Sequence, residues 1–204
     1  MPASTVRAWF KPRADGKGKG PLLVSDYKPV NGDYAVSFLD LIDVYVARFF
    51  RNCNVPLPVI RRAFDVLRTD LDTKHPFAHA ELCAGDGRII RKSATTSGAT
   101  ELIDVISKQK WFSEMQGWLR QLDYDELTKM ATRWRIAEGV VVDPKLGFGK
   151  PVVTATGVTT FVLANQYHAN GRNAELVADL FSVTPSDVNN AANFEAARRR
   201  RAAA

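Results

Sequence analysis

Gly139-Val140-Val141-Val142-Asp143-Pro144-Lys145-Leu146-Gly147-Phe148-Gly149-Lys150-Pro151-Val152-Val153 opens the stretch, running on to Glu195, that decides how the chain folds. Val140 to Val142 are β-branched and read as a strand. Asp143-Pro144 ends it, because proline fixes its own φ and biases the residue before it to extended geometry. Gly147, Gly149 and Pro151 then force a turn. After Thr160 the apolar period changes from two to about 3.6 residues, with Gly171 as a left-handed helix end and Asn173 as the next N-cap. Thr184-Pro185-Ser186-Asp187 reads as an N-cap, a proline at the first helical position and an acid reaching back from the third. These marks leave a helix over Ala174 to Phe181, a Ser182-Val183-Thr184 connection and a second helix from Pro185. Ala178 is small where the two would cross, and Val188 and Ala191 face back into the pair, which is helix-turn-helix spacing. A helical corner that touches no DNA has the same spacing, so both readings stand.

The whole chain has 204 residues, 46% of them hydrophobic and 25% charged. That is enough for one or two modest cores, and two are expected. A formal charge of +6 biases partners toward polyanions or acidic proteins, with part of the excess in the two tails. Cys53 and Cys83 show no C-x-x-C spacing, and no stretch resembles a signal peptide or an apolar run of bilayer length. The expectation is a reduced, cytosolic protein without a membrane segment. Residues 1–36, rich in Gly, Lys and Pro, are expected to form a flexible basic arm in which Trp9 and Phe10 are bulky anchors for a partner or a dimer mate.

Ser37-Phe38-Leu39-Asp40 is a capping-box-like start for a helix with Phe38, Leu41, Ile42, Tyr45, Phe49 and Cys53 on one face. A second helix opens at Pro58, with Ile60, Ala63, Phe64, Leu67 and Leu71 as its apolar face. Its outward face carries Arg61, Arg62, Asp65, Arg68, Thr69 and Asp72. Arginine suits phosphate and guanine contacts, so Arg61, Arg62 and Arg68 are candidate DNA-binding residues. The pairs Arg61 with Asp65 and Arg68 with Asp72 can equally decorate a solvated face. Ala80 to Cys83 and Arg88 to Lys92 flank Ala84-Gly85-Asp86-Gly87 as two strands about a turn. A helix pair followed by a hairpin bearing Arg88, Arg91 and Lys92 is the layout of a winged helix.

After a small-residue linker, Ser93 to Gly98, a short helix starts at Thr100. A second helix places Trp111, Met115, Trp118, Leu119 and Leu122 on one face, a stripe that reads as core or as a dimer surface. Met130, Trp134 and Ile136 alternate with polar neighbours as a strand leading toward Val140. Chemistry is sparse. His75 and His79 are four residues apart, but Pro76 between them opposes a helix presenting both to a metal. Gly147 to Pro151 is too short for a phosphate loop. No nucleophile constellation is present, and the chain is expected to be a non-enzyme with no cofactor or metal.

Val141-Val142-Asp143-Pro144, Gly149-Lys150-Pro151-Val152-Val153, Gly157-Val158, the helix Ala174-Glu175-Leu176-Val177-Ala178, and Thr184, Asp187-Val188 and Ala191-Ala192 resemble the DUF433 domain, a homeodomain-like helix-turn-helix group. The departure is at Thr154 to Thr159, where the usual Gly-Thr-Arg triplet is absent. Ile60-Arg61-Arg62-Ala63, His75-Pro76-Phe77 and Asp86-Gly87-Arg88-Ile89-Ile90 resemble the MerR-like region found ahead of that domain in bacterial antitoxins of VapBC type, whose toxins are PIN-domain ribonucleases. The resemblance implies a mainly α chain with a small β component, divided into the arm (1–36), a winged helix-turn-helix domain (37–95), a helical connector (96–136) and a homeodomain-like domain with an arginine-rich tail (137–204). It also implies a homodimeric antitoxin of a type II toxin–antitoxin module that binds operator DNA to autoregulate its promoter and neutralises its toxin. Arg198, Arg199, Arg200 and Arg201, with Trp9 and Phe10, are then the candidate toxin-binding residues, although the four arginines equally suit the negative end of the helix macrodipole or DNA phosphates. The alternative is a stand-alone interaction or scaffold protein whose helical corners do not bind DNA.

Overall fold

The computed structural model describes residues 2–11, 20–82, 115 and 117–203, and these form a mainly helical chain with one small sheet. The chain divides into two compact units, Met1–Arg120 with Tyr124–Ala131, and Gln121–Asp123 with Thr132–Ala204.

The first unit is built on α1 (Ala3–Phe10), α2 (Phe38–Asn52) and α3 (Leu57–Asp70), followed by two short 3-10 turns at Pro76–Ala78 and Ala80–Leu82. α2 starts with the expected capping box, in which Ser37 accepts from the Asp40 N–H and Asp40 accepts from the Ser37 N–H. Its buried face is rotated from the expected one: Ile42, Val44, Val46, Ala47 and Phe50 are buried, Leu41 is 37% exposed, and Asp40 and Asp43 point inward. The apolar pattern alone misplaces this face because it assigns carboxylates to solvent. α3 follows Pro56 directly, with Val59, Ile60, Ala63, Phe64 and Leu67 buried. The Phe77 ring meets Phe50 and Phe64 edge-on at 5.8 and 5.2 Å, the preferred geometry for ring quadrupoles.

Three expectations are corrected here. Residues 3–10 are helical, and Trp9 and Phe10 are only 7% and 5% exposed. The Trp9 carbonyl accepts from the Leu23 N–H, and Leu22 and Leu23 are buried too, so this aromatic pair gives the segment the apolar anchor that its composition otherwise lacks. The segment 80–82 is a 3-10 turn where a strand was expected, with the Ala80 N–H donating to the Lys129 carbonyl. The rest of the expected hairpin, including Arg88, Arg91 and Lys92, lies outside the described residues, as does Trp111. Met115 and Leu119 are buried and Trp118 stacks on Tyr45 at 4.3 Å, so these members of the aromatic stripe serve the core of their own unit. Leu122 begins a strand instead of ending a helix.

The sheet has the order β1 (Leu122–Tyr124), β2 (Ala131–Ala137), β3 (Val140–Val142), β4 (Pro151–Val153). β2 and β3 pair antiparallel, as the alternation toward Val140 suggested, with a bulge between Arg135 and Ala137. β3 pairs antiparallel with β4, and Pro151 sits opposite Val142 on this edge strand, where a missing N–H is tolerated. The turn before β4 requires glycine at 147, where φ is +54° and a Cβ would come within 2.7 Å of Val152. Three helices follow: α4 (Thr160–Ala169), α5 (Ala174–Phe181) and α6 (Pro185–Ala203). Asn173 caps α5, Ser182 ends it in the left-handed region, and Thr184 and Asp187 form the reciprocal cap of α6. Val153, Leu163, Val177, Ala178, Val188 and Ala191 make the core. Replacing Thr184 with alanine removes the side-chain acceptor for the Asp187 N–H and is expected to cost about 1 kcal/mol, read as a lowered urea midpoint at unchanged slope.

Candidate functional site

The charged groups of the first unit converge where no sequence pattern placed them. Asp40 and Asp43, both 0% exposed, lie one helical turn apart on the inner side of α2. His75 fits between them and the segment that follows Leu23. Its Nδ1 is 2.8 Å from Asp43 and its Nε2 is 3.0 Å from Asp26. Asp43 also accepts from the Phe77 N–H at 3.1 Å, and Asp40 accepts from the Ser25 hydroxyl and the Asp26 N–H. Three segments far apart in sequence are thereby joined through one imidazole.

Both partners of His75 are carboxylates, so the group retains a shared proton. Burial on its own pushes His75 down, but hydrogen bonding and charge from Asp43, with Asp26 behind them, overcome it and raise the ring to about 9. Burial raises Asp43 to about 7 against the pull of His75 and the Phe77 N–H. Asp26 is held below the usual carboxylate range because His75 outweighs its burial cost. Ligand-type atoms of Asp26, Asp40 and His75 lie within 4.8 Å of one another. With both ring nitrogens hydrogen-bonded to carboxylates, the ring presents no lone pair to a cation, and the arrangement is that of a structural ion pair. His79 is not aimed at the same point: its Nδ1 accepts from the Glu81 N–H.

The predicted DNA-binding residues separate. Arg61 turns back and donates to the carbonyls of Gly20 and Pro21, at 2.7 Å to the latter. It lines a cleft of about 450 Å³ with Trp9, Leu22 and Leu57. Arg62 and Arg68 are exposed, as are Asp65 and Asp72 on the same side of the helix and its end. In the second unit the buried Glu195 accepts from the Thr160 hydroxyl at 2.6 Å and pairs with Arg198 at 3.1 Å. Of the four tail arginines, Arg198 is therefore engaged, while Arg199, Arg200 and Arg201 project from the last turns of α6.

Among the described residues, no helix is long and apolar enough to cross a membrane. No family model matches the chain, so the likeness to DUF433 and to the MerR-like region rests on the quoted residues alone. Over 97% of its length the chain is 26% identical to a protein of Mycobacterium tuberculosis (strain ATCC 25618 / H37Rv) named "Putative antitoxin VapB45", 89% of which is covered. Its fold is shared with the crystal structure of Rv2018 from Mycobacterium tuberculosis, at a TM-score of 0.68 and 24% identity, covering 94% of this chain and 91% of that one.

The His75 cluster makes stability depend on pH with a definite sign. A histidine whose folded pKa is raised stabilises the fold fully below about 6.5, its unfolded value, and that contribution is lost as pH rises through about 9. Urea midpoints are expected to fall between pH 6.5 and pH 10. His75→Ala is expected to cost about 3–5 kcal/mol at neutral pH by leaving Asp43 unpaired, and to flatten that fall.

Proposed function

We propose that the protein is a DNA-binding antitoxin of a type II, VapBC-like toxin–antitoxin module, autoregulating its promoter and neutralising a PIN-domain ribonuclease. The observation that carries this reading is the likeness, over nearly the whole length of both chains, to a protein named as an antitoxin. The exposed Arg62 and Arg68 supply sequence-independent phosphate contacts, with Arg88, Arg91 and Lys92 beside them in sequence order. Arg61 contributes less, because carbonyl groups of its own unit already hold it.

Neutralisation falls to the end of α6. A PIN-domain ribonuclease gathers carboxylates to hold Mg²⁺, and guanidinium groups entering such a site pair with the carboxylates and displace the ion. Arg199, Arg200 and Arg201 are exposed at the end of a long helix and suit that role. Trp9 and Phe10 do not, since their rings are buried in their own unit. A homodimer is the default geometry for a DNA-binding module of this size.

The test is co-expression with any PIN-domain protein that is encoded beside it. Arg199→Ala, Arg200→Ala and Arg201→Ala together are expected to abolish growth rescue while leaving the melting curve unchanged. Full rescue by this variant removes the tail from the account. Failure of the unaltered chain to rescue removes the antitoxin reading and leaves an interaction or scaffold protein.

A further inference from the structure

The second unit carries a helix face that its own core does not use. Val188, Ala191, Ala192 and Glu195 point inward from α6, so the opposite side is turned to solvent. Ser186, Asn189, Asn193, Ala196 and Arg200 follow one another at three- and four-residue spacings, and all are exposed. They form one continuous stripe. Neither Asn189 nor Asn193 makes a side-chain hydrogen bond among the described residues. From Val188 to Ala203 the sole acid is Glu195, which is buried and paired. The stripe is thus polar, narrow, free of negative charge and continued by Arg199, Arg200 and Arg201.

The neighbouring edge of α6 faces the turn between β2 and β3. A Cβ at Gly139 would come within 2.9 Å of the Asn190 side chain, and Ile136 to Glu138 line a groove of about 410 Å³ with Asn190, Asn193, Phe194 and Arg201. The turn thus meets α6 at Asn190, Asn193 stands at the border of the groove, and Asn189 lies outside it.

We propose that this stripe reads base edges in the major groove of duplex DNA, with Asn189 and Asn193 as the specificity-determining residues. This rests on the DNA-binding reading above and deepens it. An asparagine amide offers one donor and one acceptor in the fork that matches N6 and N7 of adenine. Ser186 and Ala196 are short enough to let the helix sink into the groove, Ala196 meeting a thymine methyl. The arginines at the helix end match the polyanionic backbone. α5 packs across α6 behind a tight, left-handed turn at Ser182, which is how a reading helix is buttressed. α3 lacks these properties: its arginines alternate with Asp65 and Asp70, and its best-placed guanidinium is already hydrogen-bonded. The two helices then divide the work, α3 supplying affinity without sequence and α6 supplying sequence.

The experiment selects 20-base-pair duplexes from a random pool with the full chain, then measures fluorescence anisotropy with the enriched duplex and with the unselected pool. Asn189→Ala with Asn193→Ala is expected to reduce preference for the enriched duplex by about tenfold or more per asparagine, while binding to the pool stays unchanged. Arg62→Ala with Arg68→Ala is expected to weaken both duplexes alike and to reduce the salt slope. All four positions are exposed, so melting curves of the variants should match that of the unaltered chain. Retention of the full preference by the asparagine variant overturns the proposal while leaving DNA binding intact, as does loss of preference confined to the α3 variant. If the unaltered chain binds no duplex, or prefers single strands, the underlying DNA-binding reading falls and the proposal falls with it.

Discussion

An ionised group inside a small core must have a partner, because leaving it unpaired costs several kcal/mol, a large part of the stability of a domain this size. Each unit satisfies that requirement in its own way. In the first, Asp40 and Asp43 are fully buried, and each gathers a segment from outside the three α-helices. Asp40 holds Ser25 and Asp26, Asp43 holds His75 and the Phe77 N–H, and His75 closes the loop by reaching Asp26. Leu22 and Leu23 are buried beside them, and the carboxylates decide where that apolar surface lands. In the second, Glu195 pairs with Arg198 on its own helix and accepts from the Thr160 hydroxyl at the start of α4, a contact that holds the rotation of α6 about its axis. That rotation turns Asn189 and Asn193 outward. A buried acid thereby determines which side chains the helix offers to a ligand.

The second unit was legible in the sequence because its signals are local. Asn173, Thr184 and Asp187 cap helices within three residues of themselves, and Pro144 ends a strand by its own ring geometry. The strand pair around Gly139 followed from the alternation of Met130, Trp134 and Ile136 and from the β-branched run Val140 to Val142. The His75 cluster was not legible, since its hydrogen bonds join residues 14 to 49 positions apart. The inward turn of Asp40 and Asp43 rotates α2 away from its purely apolar stripe, and only the one-turn spacing of two acids beside Ile42 hinted at it. Trp9 and Phe10 show the opposite failure. Their neighbours are polar and flexible in composition, so burial depended on the apolar Leu22 and Leu23 across a basic run.

The candidate site was half visible. Arginine is a sound choice for phosphate, and Arg62 and Arg68 are exposed on α3, but Arg61 was lost to carbonyl groups that no helical wheel contains. Asn189 and Asn193 escaped notice because uncharged amides on a helix look like ordinary solvated residues. Their meaning depends on the burial of Glu195, the turn at Gly139 beside Asn190 and the tight turn behind Val183, all of which are three-dimensional facts.

Amide spectroscopy tests directly whether the outward face of α6 meets DNA. The full chain, labelled with nitrogen-15, is titrated with a duplex enriched from a random pool. The side-chain amide resonances of Asn189 and Asn193 are expected to shift with the backbone signals of Ser186 to Arg200, while Val177 and Leu163 stay in place. Shifts confined to α3, with Asn189 and Asn193 unmoved, would contradict it.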